Sequence, residues 1–579
     1  MNNEPKYNKE TAAAIRKAIE DRLNNGEELT PDCKDIAAYL EVEREIYRID
    51  NPIDTDCRKI KSWDRKKNQI LRDVNDTESY KPDETGLARR LVDECKDDTR
   101  WNDTNEKWHT WNGKRWSQEK ASLLAFKITE NICNSLDYEL PANMGVEIVT
   151  AADKKKHLRI KVNPDFLQIK KKAAQIITRE RILRGAKPGL VMDFDSRKDI
   201  PFNNGMYDPE TGTLTAHTPE NGNTTVCPTD LILEDKKDFP AGDKFLKDIS
   251  RTRDGDVDEE WIKALLLTLG ICLMYGNPEH IIIVFYGTGA NGKCVLTDWV
   301  TSAFGQLVGD CNPMELSTRS NGRETTIFDN VSRCRVLLFK EAGGIKLSDD
   351  IVKRLTGEQA APFTRIHEGS KELPICGTPI LISNNFLSYQ KGGASIARRL
   401  IGFPFSHQVP REQIDPFLIK KLTTKEGNEW LVRRIIETLN EALKKARENE
   451  EVEFYKKSLP RRIVSFSDVL VSEGDIVYSF IRDCCTVTKN DKDRVPRGHL
   501  YAAFCGYAYA EDGIDPTPQY KRMTQRQFAE CLRGYNMEPM EGYQRIGNTC
   551  HRYVYSGIQL NEEGLEYLNN ETLGTTHFT

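Results

Sequence analysis

The chain has 579 residues, of which 38% are hydrophobic and 30% charged, a composition typical of a globular protein with several cores. Its formal net charge is only −5, so no overall basic field attracts nucleic acid, and any such contact must come from local basic clusters. No apolar stretch approaches the roughly 20 residues of a membrane-spanning helix, and the N-terminus lacks the apolar core of a signal peptide. The fifteen cysteines have no zinc-site spacing, which is typical of reduced thiols in the cytoplasm.

Five stretches of the chain differ in pattern. Residues 1–84 are polar with helical periodicity, and residues 85–238 mix helical signals with short strands and turns, which predicts a mixed α+β domain. In residues 239–410 strands and helices alternate, as an α/β core requires. Residues 411–471 predict a charged helical connector, and residues 472–579 predict helices followed by a short β segment.

Near the start, residues 31–49 are spaced like a helix-turn-helix, with Asp35–Leu40 followed by Val42 and Ile46. A generic pair of packed helices has the same spacing and is the commoner explanation, because such short patterns are frequent. The sequence therefore predicts helices here and leaves DNA recognition open.

The strongest signal lies between His280 and Leu296. The β-branched run Ile281–Phe285 predicts a buried parallel strand, and it leads into a glycine-rich loop followed by helical residues. The loop residues are Gly287, Thr288, Gly289, Ala290, Asn291, Gly292, Lys293 and Cys294. Glycines let the backbone wrap around phosphate oxygens, a helix N-terminus adds partial positive charge, and Lys293 would reach the β- and γ-phosphates. This order predicts an ATP-binding site.

The loop departs from the usual pattern at its last position. Ser or Thr normally stands there and binds Mg²⁺ through its hydroxyl, whereas this chain has Cys294, a softer and poorer ligand for a hard cation. Either water or a neighbouring hydroxyl such as that of Thr297 replaces the missing ligand, or hydrolysis is weakened. Nucleotide binding is expected to survive in both cases.

Two further strands carry polar residues at their ends. Arg335–Glu341 reads as an apolar strand that ends in a carboxylate, where an ATPase places the acid that binds metal or polarises water. Glu341 is therefore the candidate, although an ordinary strand-end glutamate has the same pattern. Pro379–Asn384 predicts a third strand, whose terminal amide at Asn384 would contact a γ-phosphate or water, with Asn385 as the alternative if the register differs by one.

Together these segments resemble the superfamily 3 helicases, in particular the poxvirus-type and phage or plasmid primase–helicase group. The resemblance extends from about Trp101 onward, and the order of five blocks is more specific than any one of them. The blocks are Gly287–Cys294, Val336–Glu341, Val352–Gly357 with Arg365, Ile382–Asn384 and Ala397–Phe405. It implies an AAA+-like P-loop motor in residues 239–410, preceded by a helicase-associated domain and followed by a winged-helix-like domain.

The resemblance also implies roles for two basic groups. A β-hairpin at roughly Thr364–Leu373 would grip single-stranded DNA in a ring channel through Arg365, His367 and Lys371; the alternative is a surface loop with solvated charges. Arg398 and Arg399 would include an arginine finger that reaches the ATP of the neighbouring subunit, and the alternative is again a solvated surface pair.

Two acidic positions are interpreted within the same resemblance. Asp193 and Asp195 could share a cation, but they lie inside the implied helicase-associated block, so we do not interpret them as a primase metal site. Lys340 stands beside Glu341 where many relatives carry an acidic pair, and a salt bridge between the two would hold the glutamate.

The resulting expectation is an ATP- and Mg²⁺-dependent DNA helicase that forms a ring, expected to be a hexamer, and moves 3′ to 5′ on single-stranded and forked DNA. A primase or initiator would be a further partner, and the setting would be replication of a phage, plasmid or mobile element in the cytoplasm of a bacterial host or virus-infected cell. An ATP-binding initiator that melts an origin with weak hydrolysis is the first alternative. A regulatory P-loop ATPase switch would leave the hairpin arginine unexplained, and a primase–polymerase would need a carboxylate and histidine constellation that does not stand out.

Overall fold

A computed structural model describes most of the chain, and its contacts divide into two compact units. Unit 1 is Met1–Phe194 with Thr218–Gly222, and unit 2 is Asp195–His217 with Asn223–Thr579. The described residues are 8–61, 63–64, 69–70, 80–195, 198–234, 237–317, 324–357, 360–365, 369–389, 396, 398–410, 412, 414–450, 454–474, 476–488, 490–512, 524–535, 537–540, 543–546 and 549–574. Among them, no helix is both long enough and apolar enough to cross a bilayer.

Unit 1 contains helices and short antiparallel strand pairs. Its helices are α1 (Lys9–Asn24), α2 (Lys34–Asp50), α3 (Glu84–Cys95), α4 (Ala121–Glu139), α5 (Pro164–Ala173) and α6 (Ile176–Ala186). Its strands are β1 (Trp63–Asp64), β2 (Gln69–Ile70), β3 (Thr99–Asn102), β4 (Lys107–Trp111), β5 (Trp116–Ser117), β6 (Met144–Thr150) and β7 (Lys156–Val162). The strands β4 and β5 form a hairpin around the Asn112-Gly113 turn, in which Trp111 pairs with Trp116, and this agrees with the short strands and turns predicted for residues 85–238.

Two hydrophobic clusters stabilise unit 1. One lies between α3, α4, α5 and α6 and includes Leu91, Ile132 and Ile182. The other joins α1 and α2 to the β6–β7 hairpin through Ile19, Tyr39 and Leu158. The helices predicted in residues 31–49 are thus one helix, α2, that packs with α1 on a hairpin supplied from much later in the chain.

Unit 2 is built around one central sheet. Its strands before the C-terminal group are β8 (Ile200–Phe202), β9 (Gly205–Asp208), β10 (Thr213–Thr215), β11 (Ile282–Tyr286), β12 (Val308–Cys311), β13 (Val336–Phe339), β14 (Lys346–Leu347), β15 (Ala360–Arg365), β16 (Gly369–Pro374), β17 (Thr378–Ser383), β18 (Ser388–Tyr389) and β19 (Leu400–Pro404). The helices are α7 (Pro240–Ser250), α8 (Glu259–Leu273), α9 (Lys293–Phe304), α10 (Thr325–Asn330), α11 (Asp349–Gly357), α12 (Leu418–Leu422), α13 (Lys425–Glu448), α14 (Phe454–Lys457) and α15 (Arg461–Gly474).

The central sheet has five parallel strands in the order β12-β13-β17-β11-β19. Both of its faces are covered, because Ile283 and Phe285 of β11 pack into one core while Ile282 and Val284 pack into another. A strand buried on both faces needs apolar residues at every position, which explains the continuous run seen in the sequence. The predicted alternation of strands and helices in this region is confirmed in this sheet.

The strand bounds differ from the predicted ones by one or two residues. The strand β11 begins at Ile282 rather than Ile281, because the backbone amide of Ile281 is taken by the side chain of Asn277 at 3.0 Å. The strands β17 and β13 end at Ser383 and Phe339, so Asn384 and Glu341 do not end these strands but follow them.

The last part of unit 2 mixes helices and short strands, as predicted. Its elements are α16 (Ile476–Cys484), β20 (Cys485–Val487), β21 (Arg494–Pro496), α17 (Arg497–Asp512), α18 (Gln525–Gly534), β22 (Pro539–Met540), β23 (Gln544–Ile546), β24 (Thr549–His551), β25 (Val554–Ser556), β26 (Ile558–Leu560) and α19 (Glu562–Gly574). Phe480, Phe504 and Phe528 form its core, with the last two rings stacked at 4.5 Å. The winged-helix-like assignment and the boundaries at residues 84, 238, 410 and 471 stay predictions.

Candidate functional site

The glycine-rich loop lies at the carboxyl edge of the central sheet, directly after β11. Its first residue is fixed to the neighbouring strand, because the amide of Gly287 donates to the carbonyl of Ser383 at 3.2 Å. Three later residues have positive φ: Gly289 (113°), Ala290 (48°) and Gly292 (82°). The backbone thus takes a path that favours glycine, and Ala290 adopts it at a steric cost.

Two of the loop glycines are also required by crowding. A Cβ atom at Gly287 would lie 1.9 Å from Nδ2 of Asn291 and 2.8 Å from the carbonyl of Phe405. At Gly292 it would lie 2.5 Å from a methyl group of Ile249. The loop is therefore packed against α7 and the segment after β19, which fixes its shape.

Lys293 is the first residue of α9 and is only 2% exposed. Its ammonium group donates to the carbonyl of Gly287 at 2.5 Å and to Oδ1 of Asn291 at 3.0 Å. The amide of Asn291 in turn donates to the carbonyl of Phe405 at 3.2 Å. Burial lowers the pKa of Lys293, so an anion beside its ammonium group would stabilise the charged form.

Cys294 and Thr297, both on α9, differ in exposure. The Cys294 side chain is exposed. By contrast Thr297 is buried, and its hydroxyl donates to the carbonyls of Lys293 (3.1 Å) and Cys294 (3.0 Å) of its own helix. The sequence left open whether the Thr297 hydroxyl replaces the missing Mg²⁺ ligand. This arrangement argues against that role, because the hydroxyl is buried and already bonded within its own helix.

The segment after β19 contacts the loop, a relationship that the sequence did not predict. The amide of Val409 donates to the carbonyl of Ala290 at 2.8 Å, and the side chain of Gln408 donates to the hydroxyl of Thr288 at 2.9 Å. These partners are far apart in sequence, so no local sequence pattern predicts their contacts. Ser383 was likewise missed as the residue that holds Gly287.

Glu341 lies at the same edge of the sheet as the loop. Glu341 follows β13, and the strand β17 lies between β13 and β11. Two strand spacings, about 10 Å, therefore separate the end of β13 from the end of β11, where the glycine-rich loop begins. Glu341 is exposed, with a positive φ of 59°. Lys340 pairs with Asp298 of α9 at 3.4 Å, so the salt bridge considered between Lys340 and Glu341 is wrong, since the lysine is directed to the helix after the loop.

Asn384 and Asn385 follow β17, and both are exposed. Asn385 is the better fixed, because its amide donates to the hydroxyl of Ser383 at 3.2 Å while that hydroxyl donates to the Asn385 carbonyl at 2.5 Å. Its side-chain nitrogen lies 3.4 Å from the position that a Cβ of Gly343 would occupy, in the turn after Glu341. Either amide is placed at the edge that carries the loop, and their roles stay predictions.

The sequence assigned Glu341 and Cys294 to a metal ion, and this assignment stays a prediction. The carboxylate of Glu341 is a ligand that suits Mg²⁺, whereas the thiol of Cys294 is not. Among the described residues, no group of three or more His, Cys, Asp or Glu side chains is placed to hold a metal ion. If Mg²⁺ binds here, most of its ligands would therefore be oxygens from the nucleotide and water.

The hairpin predicted at Thr364–Leu373 is present as β15 and β16. It is longer than predicted, pairing Ala360 with Pro374 at one end and Arg365 with Gly369 at the other. Lys371 lies within β16 and is partly exposed. His367 lies outside the described residues, and contact of this hairpin with DNA stays a prediction.

Arg398 and Arg399 directly precede β19, so they lie at the amino edge of the sheet, opposite the glycine-rich loop. Arg398 is exposed, whereas Arg399 is 8% exposed and its carbonyl accepts from the amide of Ile282 at 2.7 Å. Burial and the neighbouring Arg398 lower the pKa of Arg399. Only Arg398 is thus accessible to a partner. Ala397, from the same block, lies outside the described residues.

Asp193 and Asp195 have different surroundings. Asp193 is exposed. The carboxylate of Asp195 accepts from both the amide (2.7 Å) and the hydroxyl (2.5 Å) of Thr224, and burial raises its pKa to about 6 despite these bonds. The Asp195 carboxylate therefore holds a loop together, and the interpretation that the pair is not a primase metal site stays a prediction.

Comparison with known proteins gives a match to one region of the chain. Residues 88–251 match the family described as D5 N terminal like, fewer than a third of the chain, and the match ends before β11. Among solved structures, the A form apo structure of the NrS-1 C terminal region (CTR) is 11% identical, with a TM-score of 0.36, covering 81% of this chain and 98% of that one. The apo structure of the NrS-1 C terminal region (305–718) is 13% identical, with a TM-score of 0.33, covering 71% and 96%.

Neither TM-score reaches 0.5, and we draw no conclusion about function from these two structures. The family match stands on the sequence of residues 88–251 alone. The chain therefore carries a region similar to the D5 N-terminal family, followed by a five-stranded parallel sheet with a glycine-rich loop at its carboxyl edge.

Proposed function

We propose that this chain is an ATP-driven DNA helicase of the superfamily 3 type, acting in the replication of a phage, plasmid or other mobile element. The central sheet of unit 2 with its flanking helices would be its AAA+-like motor. It would work as a ring, expected to be a hexamer, moving 3′ to 5′ on one strand of forked DNA in the cytoplasm. A region similar to the D5 N-terminal family ahead of the motor is the arrangement that this proposal requires.

The observation that carries the proposal is the loop after β11. It combines a buried lysine at a helix start with a backbone that turns through positive φ, and both are features of phosphate-binding loops. Lys293 would exchange its two neutral oxygen partners for the β- and γ-phosphates, which form stronger, charge-assisted hydrogen bonds. Glu341 at the same edge would orient the metal or the attacking water, and bound Mg²⁺ would neutralise phosphate charge.

Arg398 would complete the site of another copy. It lies on the opposite edge of the sheet from the loop of its own chain, where an exposed guanidinium could meet the ATP of a neighbouring subunit. Lys371 and Arg365 of the β15–β16 hairpin would contact the DNA strand. This assignment of roles explains how a chain with a net charge of −5 could handle DNA, since only the channel needs to be basic.

A second function, an ATP-binding initiator that melts or marks an origin with weak hydrolysis, is favoured by one observation. Cys294 is exposed at the position where a hydroxyl usually binds Mg²⁺, and Thr297 is buried in its own helix rather than available as a substitute. A chain of this kind would bind ATP well and turn it over slowly.

ATP turnover with Mg²⁺, measured with and without single-stranded DNA, tests the two functions. The proteins to compare are the wild type, Lys293→Ala and Cys294→Ser, with nucleotide binding measured in parallel. The helicase proposal expects DNA-stimulated turnover that Lys293→Ala abolishes. ATP binding without turnover, even in Cys294→Ser, would refute the helicase and favour the initiator.

A further inference from the structure

The most basic part of the chain lies in unit 1, which contains none of the residues assigned to the motor. Residues 154–187 contain twelve lysines and arginines and only two acidic residues, a net charge of +10 in a chain whose total is −5. The densest part is the turn and second strand of the β6–β7 hairpin. There Lys154, Lys155, Lys156, Arg159 and Lys161 are all exposed.

The hairpin separates apolar from basic side chains. Its two strands pair in register from Met144↔Val162 to Thr150↔Lys156. Because side chains alternate along a strand, Leu158 and Ile160 face the core formed with α1 and α2, while Arg159 and Lys161 face away from it. The side chains of Arg159 and Lys161 are 71% and 58% exposed, at 3.8 and 3.5 Å from the carboxylate of Glu147.

The helix α1 holds the hairpin in place along the edge of β7. The side chain of Asn24 accepts from the amide of Lys156 at 2.8 Å and donates to its carbonyl at 3.0 Å. The carboxylate of Glu20 accepts from the amide of Leu158 at 2.9 Å. Four residues along a helix and two along a strand both span about 6 Å, so these side chains match successive outward-facing backbone groups of β7. The basic turn is therefore presented at a fixed position, and the strand edge is occupied.

The helix α2 is not suited to bind DNA. It contains five acidic residues against three basic ones, and Asp35 and Glu41 are exposed. A recognition helix that carries net negative charge would be repelled by phosphate. The resemblance of residues 31–49 to a helix-turn-helix is therefore not supported as a DNA-reading device, and the basic element of this module is the hairpin.

We propose that the β6–β7 hairpin binds the phosphate backbone of duplex DNA through Lys154, Lys155 and Lys156 at its turn. Residues 144–162 contain no Phe, Tyr or Trp, so the hairpin offers no stacking platform for the bases of a single strand. A two-stranded ribbon with basic side chains does fit a duplex groove, and lysine contacts to phosphate carry no sequence preference. This duplex contact is additional to the strand held by the proposed motor.

Duplex binding by the full-length protein tests the proposal. Affinity for a short blunt duplex would be measured without nucleotide over a series of salt concentrations, for the wild type and for Lys154→Glu/Lys155→Glu/Lys156→Glu. The matched control reverses the charge of three exposed lysines elsewhere in unit 1, in the variant Lys107→Glu/Lys114→Glu/Lys120→Glu. The hairpin variant is expected to lose at least tenfold in affinity at low salt. The slope of log affinity against log salt should shrink by about 2.7, since each phosphate contact contributes about 0.9.

The control variant is expected to keep most of its affinity, and both variants should keep the wild-type melting temperature and basal ATP turnover. A photoreactive residue in place of Lys155 should also crosslink to the duplex more efficiently than one in place of Lys114. The proposal is overturned if the hairpin variant keeps the wild-type affinity and salt slope. An equal loss on a single-stranded oligonucleotide would overturn the assignment to duplex. Because no step needs ATP, a failure of the proposed motor would leave these measurements unaffected.

Discussion

The ammonium group of Lys293 donates a hydrogen bond of 2.5 Å to the main-chain carbonyl of Gly287, so the lysine at the end of the glycine-rich segment is tied to its first glycine. This bond closes the loop around its own backbone. A triphosphate that binds here would replace the Gly287 carbonyl as the acceptor of the Lys293 hydrogen bond. The contacts of Gly287 with Ser383 and of Ala290 with Val409 would keep the loop in position.

The contrast between Gly292 and Gly289 gives a test of the loop geometry. Both have positive φ, so alanine at either position is strained by about 1 kcal/mol. Only at Gly292 does the added methyl group also collide with Ile249, at 2.5 Å, whereas nothing lies within 4 Å of a Cβ at Gly289. We expect Gly292→Ala to destabilise the protein by about 1–3 kcal/mol more than Gly289→Ala does, measured as a lower melting temperature. Equal melting temperatures would contradict this packing.

The two arginines before β19 are expected to differ in what their loss changes. Arg399 is buried, so Arg399→Ala should lower the melting temperature, because it leaves a cavity. Arg398 is exposed, so Arg398→Ala should leave stability within about 0.5 kcal/mol of wild type. If Arg398 is the proposed finger, that variant should lose 10³-fold or more in ATP turnover while still binding ATP. Wild-type turnover in Arg398→Ala would remove it from the mechanism.

The thiol of Cys294 should make the metal preference of ATP turnover unusual. Soft cations bind thiolates better than Mg²⁺ does, whereas a hydroxyl prefers Mg²⁺. Turnover by the wild type is therefore expected to improve when Cd²⁺ at low concentration supplements Mg²⁺, and Cys294→Ser should lose this response while gaining activity with Mg²⁺ alone. Cys550, also exposed, provides the control variant Cys550→Ser, which should behave like the wild type. A cadmium response that persists in Cys294→Ser would mean that the metal binds elsewhere.

The carboxylate of Asp195 predicts a specific pH dependence of stability. Its pKa in the folded protein, about 6, lies above the ordinary value of 3.8 because burial disfavours the ionised form. The contribution of protonated Asp195 to the free energy of unfolding is therefore complete below about pH 4, and it is lost as the pH rises through about 6. Asp195→Asn should be no more stable than wild type at pH 4 but gain relative to it by up to about 3 kcal/mol at pH 7. The check is the difference in melting temperature across this range, which would be constant if Asp195 did not titrate in it.

The sequence predicted those parts of the site that are local in the chain. A continuous apolar run followed by glycines indicates a doubly buried strand and a tight loop, and β11 with Gly287–Lys293 has this form. The partners that shape the loop, Ser383 and Val409, lie about a hundred residues away and are ordinary residues in their own segments. Only the three-dimensional structure brings them to the loop.

Burial and side-chain partners were also beyond the reach of the sequence. Two adjacent arginines look alike in a sequence, yet one is covered by its surroundings and the other is exposed. In the same way, Lys340 had Glu341 as its nearest acid in the chain but Asp298 as its partner in space. The helical periodicity of residues 31–49 was read correctly, but the hairpin on which α2 packs has no signal in that segment.

The position of Arg398 at the edge of the sheet opposite the loop has a kinetic consequence. The five residues of β19 span about 16 Å, a distance that an arginine side chain does not cover, so no chain can bring its own Arg398 to its own loop. If this guanidinium takes part in hydrolysis, the rate per chain must fall on dilution, roughly as the fraction of chains that have a neighbour. Mixing Arg398→Ala chains with Lys293→Ala chains, each inactive alone, should then restore turnover, because in a mixed pair one intact loop faces one intact arginine.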